Sequence, residues 1–401
     1  MRKKLLILLA ASFLLLSISG CWGKREIESL AFVVAIGLDF NTKTDSYQVT
    51  YQIAEPSKGG EGGPKIENRT ITIESKSMVE VSSRSFEFLN KQNFPGAVKI
   101  IIIGKDLAER GMNESLDFYQ RLYQLRRTVF LLLAEDKAQD ILNVKMRNKD
   151  LPALSLLEII NNTSDWSITP LVRLGHYLTI LGRKSEAPVI PLVRPVKPGE
   201  GGIIYKSQEE GEAEEIQLTG AGVFKGDRLA GQLTEDETKG YLWLQNEVKQ
   251  RLLDTSDEGQ PVYGGRVVKS GTKVKLETVD GVKGVRFLIS ADVSIDEYQC
   301  REEAVNPAEM KPVTHDAEEK FAQAIEKECE EAIAKSKELK LDFLGIGRQI
   351  EMKNSKYWKE IKESWPEMLP EMPVAVEAQV KVINTGATFQ GPVNSESGGE
   401  E

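Results

Sequence analysis

The sequence predicts a multi-domain α+β protein, in which mixed and antiparallel β-sheets pack with α-helices behind an N-terminal lipoprotein signal. Three observations predict it. The chain has 401 residues, 40% of them hydrophobic, enough for two or three cores at roughly 150 residues per domain. Segments with apolar residues at every second position are interspersed with segments whose apolar residues recur at helical spacing. Between two such series, residues 197–215 change character: Pro198, Gly199, Gly201, Gly202 and Gly211 alternate with Glu200, Glu209, Glu210, Glu212, Glu214 and Glu215, marking the main domain boundary.

The chain begins with Arg2, Lys3 and Lys4, then runs apolar from Leu5 to Leu16 except for Ser12, and reaches the small residues Ser17, Ser19 and Gly20. That is the order of a secretory signal. A helix over residues 5–18 would be about 21 Å long at ~1.5 Å per residue, short of the roughly 30 Å hydrocarbon core. Ile18-Ser19-Gly20-Cys21 resembles the bacterial lipobox, with Ile where Leu is commoner. Cys21 is then expected as the first mature residue, carrying an S-diacylglyceryl group with or without a further N-acyl chain such as palmitate. The alternative is an ordinary signal with Cys21 incidental. Two acyl chains anchor stably where one is marginal. Removing residues 1–20 takes away three positive charges and no negative ones, moving the net charge from −9 to −12. The apolar stretches 31–40, 97–104 and 128–134 are too short to span, so the rest of the chain is expected to be a soluble body.

The elements follow in order. Residues 29–40 read as a buried strand and 46–54 as its hairpin partner, with Tyr47, Val49, Tyr51 and Ile53 on one face. Residues 56–68, rich in glycine, read as a loop before a strand at 69–74. Met78, Val81, Phe86 and Leu89 place a helix in 77–92, and 97–103 returns as a strand; this strand, helix, strand passage argues for a mixed sheet. A helix is expected around 107–125, a strand at 128–134, a short helix at 137–144 and a helix at 170–181. The proline-bearing segment 187–196 suits an edge strand. Beyond the boundary, a strand at 217–224 turns at Lys225-Gly226-Asp227, and Thr234 with Glu237 forms a capping-box pattern for a helix carrying Tyr241, Leu242, Leu244 and Val248. Strands are predicted at 262–270, 272–279 and 285–295, with Asp280-Gly281 as a hairpin signal. Phe321, Ile325, Cys329, Ala332 and Ile333 mark a long amphipathic helix over 316–339, and 373–383 alternates as a final strand. The resulting division is a signal at 1–20, an N-terminal α/β region at 21–198 with room for two subdomains, an acidic Gly-rich linker at 199–216, a C-terminal α+β domain at 217–384 and a polar tail at 385–401.

Composition narrows the function. With 52 Lys and Arg against 61 Asp and Glu there is no basic excess from which to build a nucleic-acid surface. Two histidines, His176 and His315, and three cysteines leave few metal ligands or general bases. No catalytic residue, cofactor site or metal site is predicted. His176, among Leu171, Leu174, Leu178 and Leu181, reads as a partly buried helix residue, and His315-Asp316 as a helix start. Glu328-Cys329-Glu330-Glu331 has the composition of a metal cluster, but consecutive helical positions diverge by ~100° and cannot converge on one ion. Gly345-Ile346-Gly347 has Ile350 where a nucleotide loop needs its third glycine, so a turn between helices explains it better.

Several blocks stand out together: Cys21-Trp22 with Lys24 to Ala31 and Gly37-Leu38-Asp39; Asn93-Phe94-Pro95-Gly96 leading into Val98 to Gly104, with Leu107-Ala108; the strand after Arg126-Arg127; Gly220 to Lys225 with Leu229-Ala230-Gly231, and Leu233 through Trp243; and Asp342 to Gly347 with Tyr357-Trp358 and Trp365. In this order they resemble the C-subunit lipoproteins of spore nutrient germinant receptors, the Ger(x)C or GerAC-like family. Pro95-Gly96 stands where many members have Gly-His, so no role of that histidine carries over. The resemblance implies a multi-domain α+β fold and a lipid-anchored, non-catalytic receptor subunit needed for assembly or signalling in germination. Its implied partners are the polytopic A and B subunits, at the outer face of the inner spore membrane or cell membrane of an endospore-forming bacterium. The other function the sequence allows is a solute-binding lipoprotein capturing a small nutrient between two lobes.

Two further sets of residues carry expectations. Tyr357, Trp358 and Trp365, near a glycine-bearing turn, read as helix packing or as anchors of a partner surface. Cys300 and Cys329 are the thiols left after lipidation and form a candidate disulfide in an exported domain; against it, Cys329 falls on the apolar face of its helix, where free buried thiols are common.

Overall fold

The computed structural model describes residues 3–4, 30–57, 65–89, 91–122, 124–144, 151–197, 215–255, 262–279, 282–299 and 310–384. Cys21, Cys300, the signal beyond residues 3–4, linker residues 199–214 and the tail 385–401 lie outside them.

The first sheet grows from the hairpin of β1 (Leu30–Asn41) and β2 (Ser46–Ser57), to which β3 (Lys65–Ser75) adds antiparallel. On the other side of β1 the pairing becomes parallel through β4 (Gln92–Phe94), β5 (Ile100–Ile103), β6 (Phe130–Ala134) and β7 (Val189–Val196). The order across the sheet is β3-β2-β1-β5-β6-β7, with β4 beside one end of β1. The four isoleucines of β5 explain the parallel centre, because a strand covered on both faces needs no polar side. Ile101 and Ile103 enter one core with Val33, Leu38 and Leu131, while Ile100 and Ile102 enter another with Ala35 and Leu132.

Helices cover both faces. On the first side lie α1 (Met78–Phe88), α2 (Lys105–Arg110), α3 (Asn113–Arg121) and α6 (Leu174–Leu181); on the second lie α4 (Ala138–Asn143) and α5 (Pro152–Asp165). Ser77 caps α1 by accepting from Glu80 N. The buried face of α1 is Met78, Val81 and Ser85, and Phe86, expected inside, is 56% exposed because it sits ~100° around the helix from Ser85. The single helix expected over 107–125 is two, broken at Gly111, whose φ is +123°. No element was expected at 145–169, yet α5 runs there, opened by Pro152 at its first turn with Ala153, Leu156 and Ile160 inward. Pro170 to Arg173 precede α6 as extended chain, with Val172 O accepting from Leu131 N.

β7 is interior, not an edge: β6 flanks it on one side and β8 (Glu215–Lys225) on the other. Its prolines are accommodated because β6 pairs only at Leu192 and Val193, and the ladder to β8 shifts register between Pro191 and Val193. After β8 the chain returns antiparallel as β9 (Arg228–Leu233), so two strands that follow the acidic linker complete the sheet begun before it.

The second sheet holds β10 (Arg251–Thr255), β11 (Val262–Val279), β12 (Val282–Gln299) and β13 (Val374–Asn384), in that order. β11 continues through Gly271 instead of breaking there, with register shifts at Gly264/Gly265 and Val267/Lys269. α7 (Glu235–Leu244) carries the expected Thr234–Glu237 capping box. The long helix α8 (Met310–Leu339) sends Phe321, Ile325 and Cys329 into a core that also takes Val189 and Val223 from the first sheet and Phe287 and Ile289 from the second. The two sheets therefore share one core through α7 and α8.

β13 is an edge strand, and its open side is covered by α8 side chains. Ala378 N donates to Glu326 Oε1 at 2.9 Å and Val382 N to Glu318 Oε1 at 2.8 Å. Eight helical residues rise about 12 Å and four strand residues about 13 Å, so the two carboxylates match the two amides in register. Removing both in Glu318→Ala/Glu326→Ala is expected to cost about 2 kcal/mol and to promote strand pairing between copies. Urea unfolding and analytical ultracentrifugation check this; unchanged stability together with an unchanged sedimentation profile would refute the edge-covering role.

Candidate functional site

Three buried polar clusters account for the motif residues. The first lies where α8 ends and Asp342-Phe343-Leu344-Gly345 leads into α9 (Ile346–Lys353). Gly345 adopts φ +68°, the left-handed turn that lets the chain reverse into α9. Asp342 then faces the start of that helix: Oδ1 accepts from Ile346 N at 2.9 Å, and Oδ2 from Gly347 N at 2.5 Å and Trp365 Nε1 at 3.1 Å. Burial pushes this carboxyl up to about 7 against those hydrogen bonds, and the nearby Glu186 charge adds to the rise.

The same segment clasps the chain just before β7. Asp342 O accepts from Ala187 N at 2.8 Å, Ser185 O accepts from Arg348 N at 3.1 Å, and Ser185 Oγ donates to Glu351 at 2.9 Å. Glu186, buried, lies 3.1 Å from Arg183 and 3.6 Å from Arg348. The clasp joins residues from the two sides of the acidic linker.

The second cluster is centred on Asp39 near the end of β1. Its Oδ1 and Oδ2 accept from Ala138 N at 2.8 Å and Gln139 N at 2.9 Å, capping α4. A Cβ on Gly104 would fall 1.9 Å from Oδ1, so the small residue there makes room for the cap. Burial raises Asp39 to about 6, opposed by the two backbone hydrogen bonds.

The third is an ion pair between α8 and β10. Glu328 accepts from Arg251 Nη2 at 3.2 Å and from Trp243 Nε1 at 3.0 Å. Burial pushes Arg251 down and Glu328 up, each opposed by the other's charge. Beside it, Cys329 Sγ lies 4.0 Å from Gly240 O, and burial holds the thiol well above its ordinary range, so it is not a ready nucleophile. Cys329 is a free, buried cysteine; its candidate partner Cys300 lies outside the described residues.

The expected partner surface needs correction. Trp358 and Trp365 are 4% and 2% exposed and pack edge to face at 5.6 Å between ring centroids. Gly347 lies against both, and Trp365 spends its N–H on Asp342, so these rings form the floor of the clasp and not an exposed anchor. Tyr357, from α10 (Ser355–Ile361), is half-buried, lies under Lys283 Nζ at 3.5 Å and lines a cavity of about 110 Å³ with Leu276 and Met372. His176 is exposed on α6, because Leu174, Tyr177 and Ile180 take the buried face. His315 is 73% exposed, 3.4 Å from Glu319.

A groove of about 800 Å³ lies on the second sheet, where Lys273, Lys275 and Arg286 face Glu277 and Glu377. Of its charges, Arg286 pairs with Glu277 at 2.9 Å and reaches Glu377 at 4.0 Å. Among the described residues no helix is long and apolar enough to cross a membrane.

The motifs thus fall into the joints of a two-sheet fold, and two family matches meet across the acidic linker, the second taking in most of β8 and all of β9 from the first sheet. Residues 23–195 match the family described as spore germination protein N-terminal domain, and 219–386 match spore germination B3/GerAC like, C-terminal. The chain belongs to the GerAC-like family of spore germination proteins.

Among its relatives, spore germination protein KC of Bacillus subtilis strain 168 is 25% identical over 394 residues, covering 94% of this chain and 96% of that protein. Spore germination protein B3 of the same strain is 24% identical, covering 93% and 96%. The crystal structure of the GerBC protein superposes with a TM-score of 0.56 at 22% identity, over 90% of this chain and all of that one, which shows the shared fold. Family membership ties this GerAC-like chain to spore germination. Sequence reasoning quoted Asp39 and Asp342 within motifs without assigning either a role. Their signal was an acidic residue two or three positions from a glycine, near the end of β1 for Asp39 and just after α8 for Asp342, and their partners lie up to about 100 residues away. Arg251 carried no local signal at all.

Proposed function

We propose that this protein is a lipid-anchored, non-catalytic subunit of a spore nutrient germinant receptor, acting in receptor assembly or signalling. The observation that carries the reading is the match of both halves to spore germination families, with the first match beginning at residue 23, two residues after Cys21. The leader ending at Gly20, just before Cys21, has the charge, apolar run and small residues of a lipoprotein signal. Acylation at Cys21 tethers the body to the outer face of the inner spore membrane, and the tether raises its local concentration beside polytopic A and B subunits. The buried acids and the Arg251–Glu328 pair are engaged in holding helices and strands together, which favours a role through binding area over turnover.

Cys21→Ala is expected to leave residues 1–20 attached and to remove the protein from the spore membrane fraction. Intact-mass spectrometry of the purified protein and immunoblotting of spore fractions measure both. A mature wild-type protein whose first residue is not an acylated Cys21 overturns the anchor. Failure of the anchored protein to co-purify with any polytopic partner from spore membranes overturns the receptor role.

A further inference from the structure

A cavity of about 220 Å³ opens beside the first sheet, between α1, α3 and the Asn93–Pro95 segment. Its walls include Phe86, Phe118 and Leu122, and it reaches Tyr51 and Tyr119, which are 3% and 2% exposed. Phe86, which with Val79 and Phe88 is an apolar residue of α1 left outside the core, stands among the cavity walls. Among the described residues no charged side chain lines the space.

Two of its polar features matter for binding. The Tyr51 and Tyr119 hydroxyls lie 3.4 Å apart. Two hydroxyls carry two protons, and only one can lie between the two oxygens, so one O–H is left to offer. Burial raises both phenols, keeping them protonated. Asn93, which also lines the cavity, has its Oδ1 buried with no hydrogen-bond partner among the described residues. A buried acceptor left unpaired is costly, and a group that pairs it recovers that cost on binding.

We propose that this cavity binds a neutral small molecule made of one flat apolar ring bearing a group that both donates and accepts hydrogen bonds, of the primary amide or alcohol class. The size fits: an apolar cavity of about 150 Å³ already takes benzene, so the space here holds a ring with one polar substituent. Charge is excluded by the lining, because an ion would lose its water without gaining a counter-charge. The donor of the ligand pairs Asn93 Oδ1 once that buried amide turns toward the space, and its acceptor takes the spare tyrosine O–H. This site stands apart from the anchored-subunit reading, since neither its walls nor its polar groups involve Cys21.

The test uses the full-length chain in detergent with benzamide, toluene and benzoate as probes, followed by methyl NMR of Ile36 and Leu122 and by equilibrium dialysis. Benzamide is expected to shift both methyls saturably, and benzoate to leave them unmoved. Asn93→Leu should weaken benzamide about tenfold, the loss of one hydrogen bond, while toluene binding is retained and serves as the control for folding. Ser82→Trp, placed in the cavity wall, should abolish both. A folded wild type with no saturable shift overturns the proposal, as does benzoate binding as well as benzamide. Undiminished benzamide binding to Ser82→Trp overturns it even if Asn93→Leu fails to fold.

Discussion

Asp342→Ala is expected to lower the stability of the protein by about 4 kcal/mol, because it strands three buried donors, Ile346 N, Gly347 N and Trp365 Nε1, at about 1–3 kcal/mol each. The loss should spread beyond α9. The Asp342 backbone also holds Ala187, so loosening the turn loosens the clasp on the chain entering β7. A pH signature accompanies it. With the carboxyl raised to about 7 from 3.8, the folded state binds a proton that the unfolded state has lost between those values. Its contribution is therefore fully present below about pH 4 and is lost as the pH rises through about 7. Asp39, raised to about 6, works in the same sense over a lower window. Urea titrations from pH 5 to 8 should show wild-type stability falling more steeply with pH than that of Asp342→Asn. Parallel pH profiles for the two proteins, or an alanine variant within 1 kcal/mol of wild type, would contradict the assignment.

Glu328→Ala should cost a further large amount, about 3–5 kcal/mol, by leaving the Arg251 guanidinium buried without its counter-charge. Trp243 Nε1 loses its acceptor in the same variant. The buried charge, and not the missing attraction, dominates this cost. The double variant Arg251→Met/Glu328→Leu, which removes both ions and fills the volume, is therefore expected to recover most of the stability. Calorimetric unfolding of the single and double variants measures the difference. A double variant as unstable as Glu328→Ala would show that packing between α8 and β10, not the stranded charge, is responsible.

Much of the architecture was legible because its causes are local. The β1–β2 hairpin, the four isoleucines of β5, the capping box of α7 and the apolar stripe of α8 each follow from spacing within one segment. α5 carried such a signal as well, with Pro152 at its start and Ala153, Leu156 and Ile160 at helical spacing. Prolines misled at β7, since a register shift and a short neighbour let an interior strand carry them. Tryptophan left two readings open. A ring near a turn reads as helix packing or as surface, and only the position of Asp342, 23 residues from Trp365, decides that this one turns inward.

Family, element types and the expectation of an acylated Cys21 come from residues within a few positions of one another, where periodicity, capping and motif order act. The tertiary structure alone decides the joints. Asp39 meets Ala138 across 99 residues, Gln52 meets Ala153 across 101, and Arg251 meets Glu328 across 77. It also decides that β8 and β9 finish a sheet begun before the linker. A buried carboxylate or guanidinium must find its partner wherever the fold brings one, because desolvation penalises an unpaired group whatever its sequence separation.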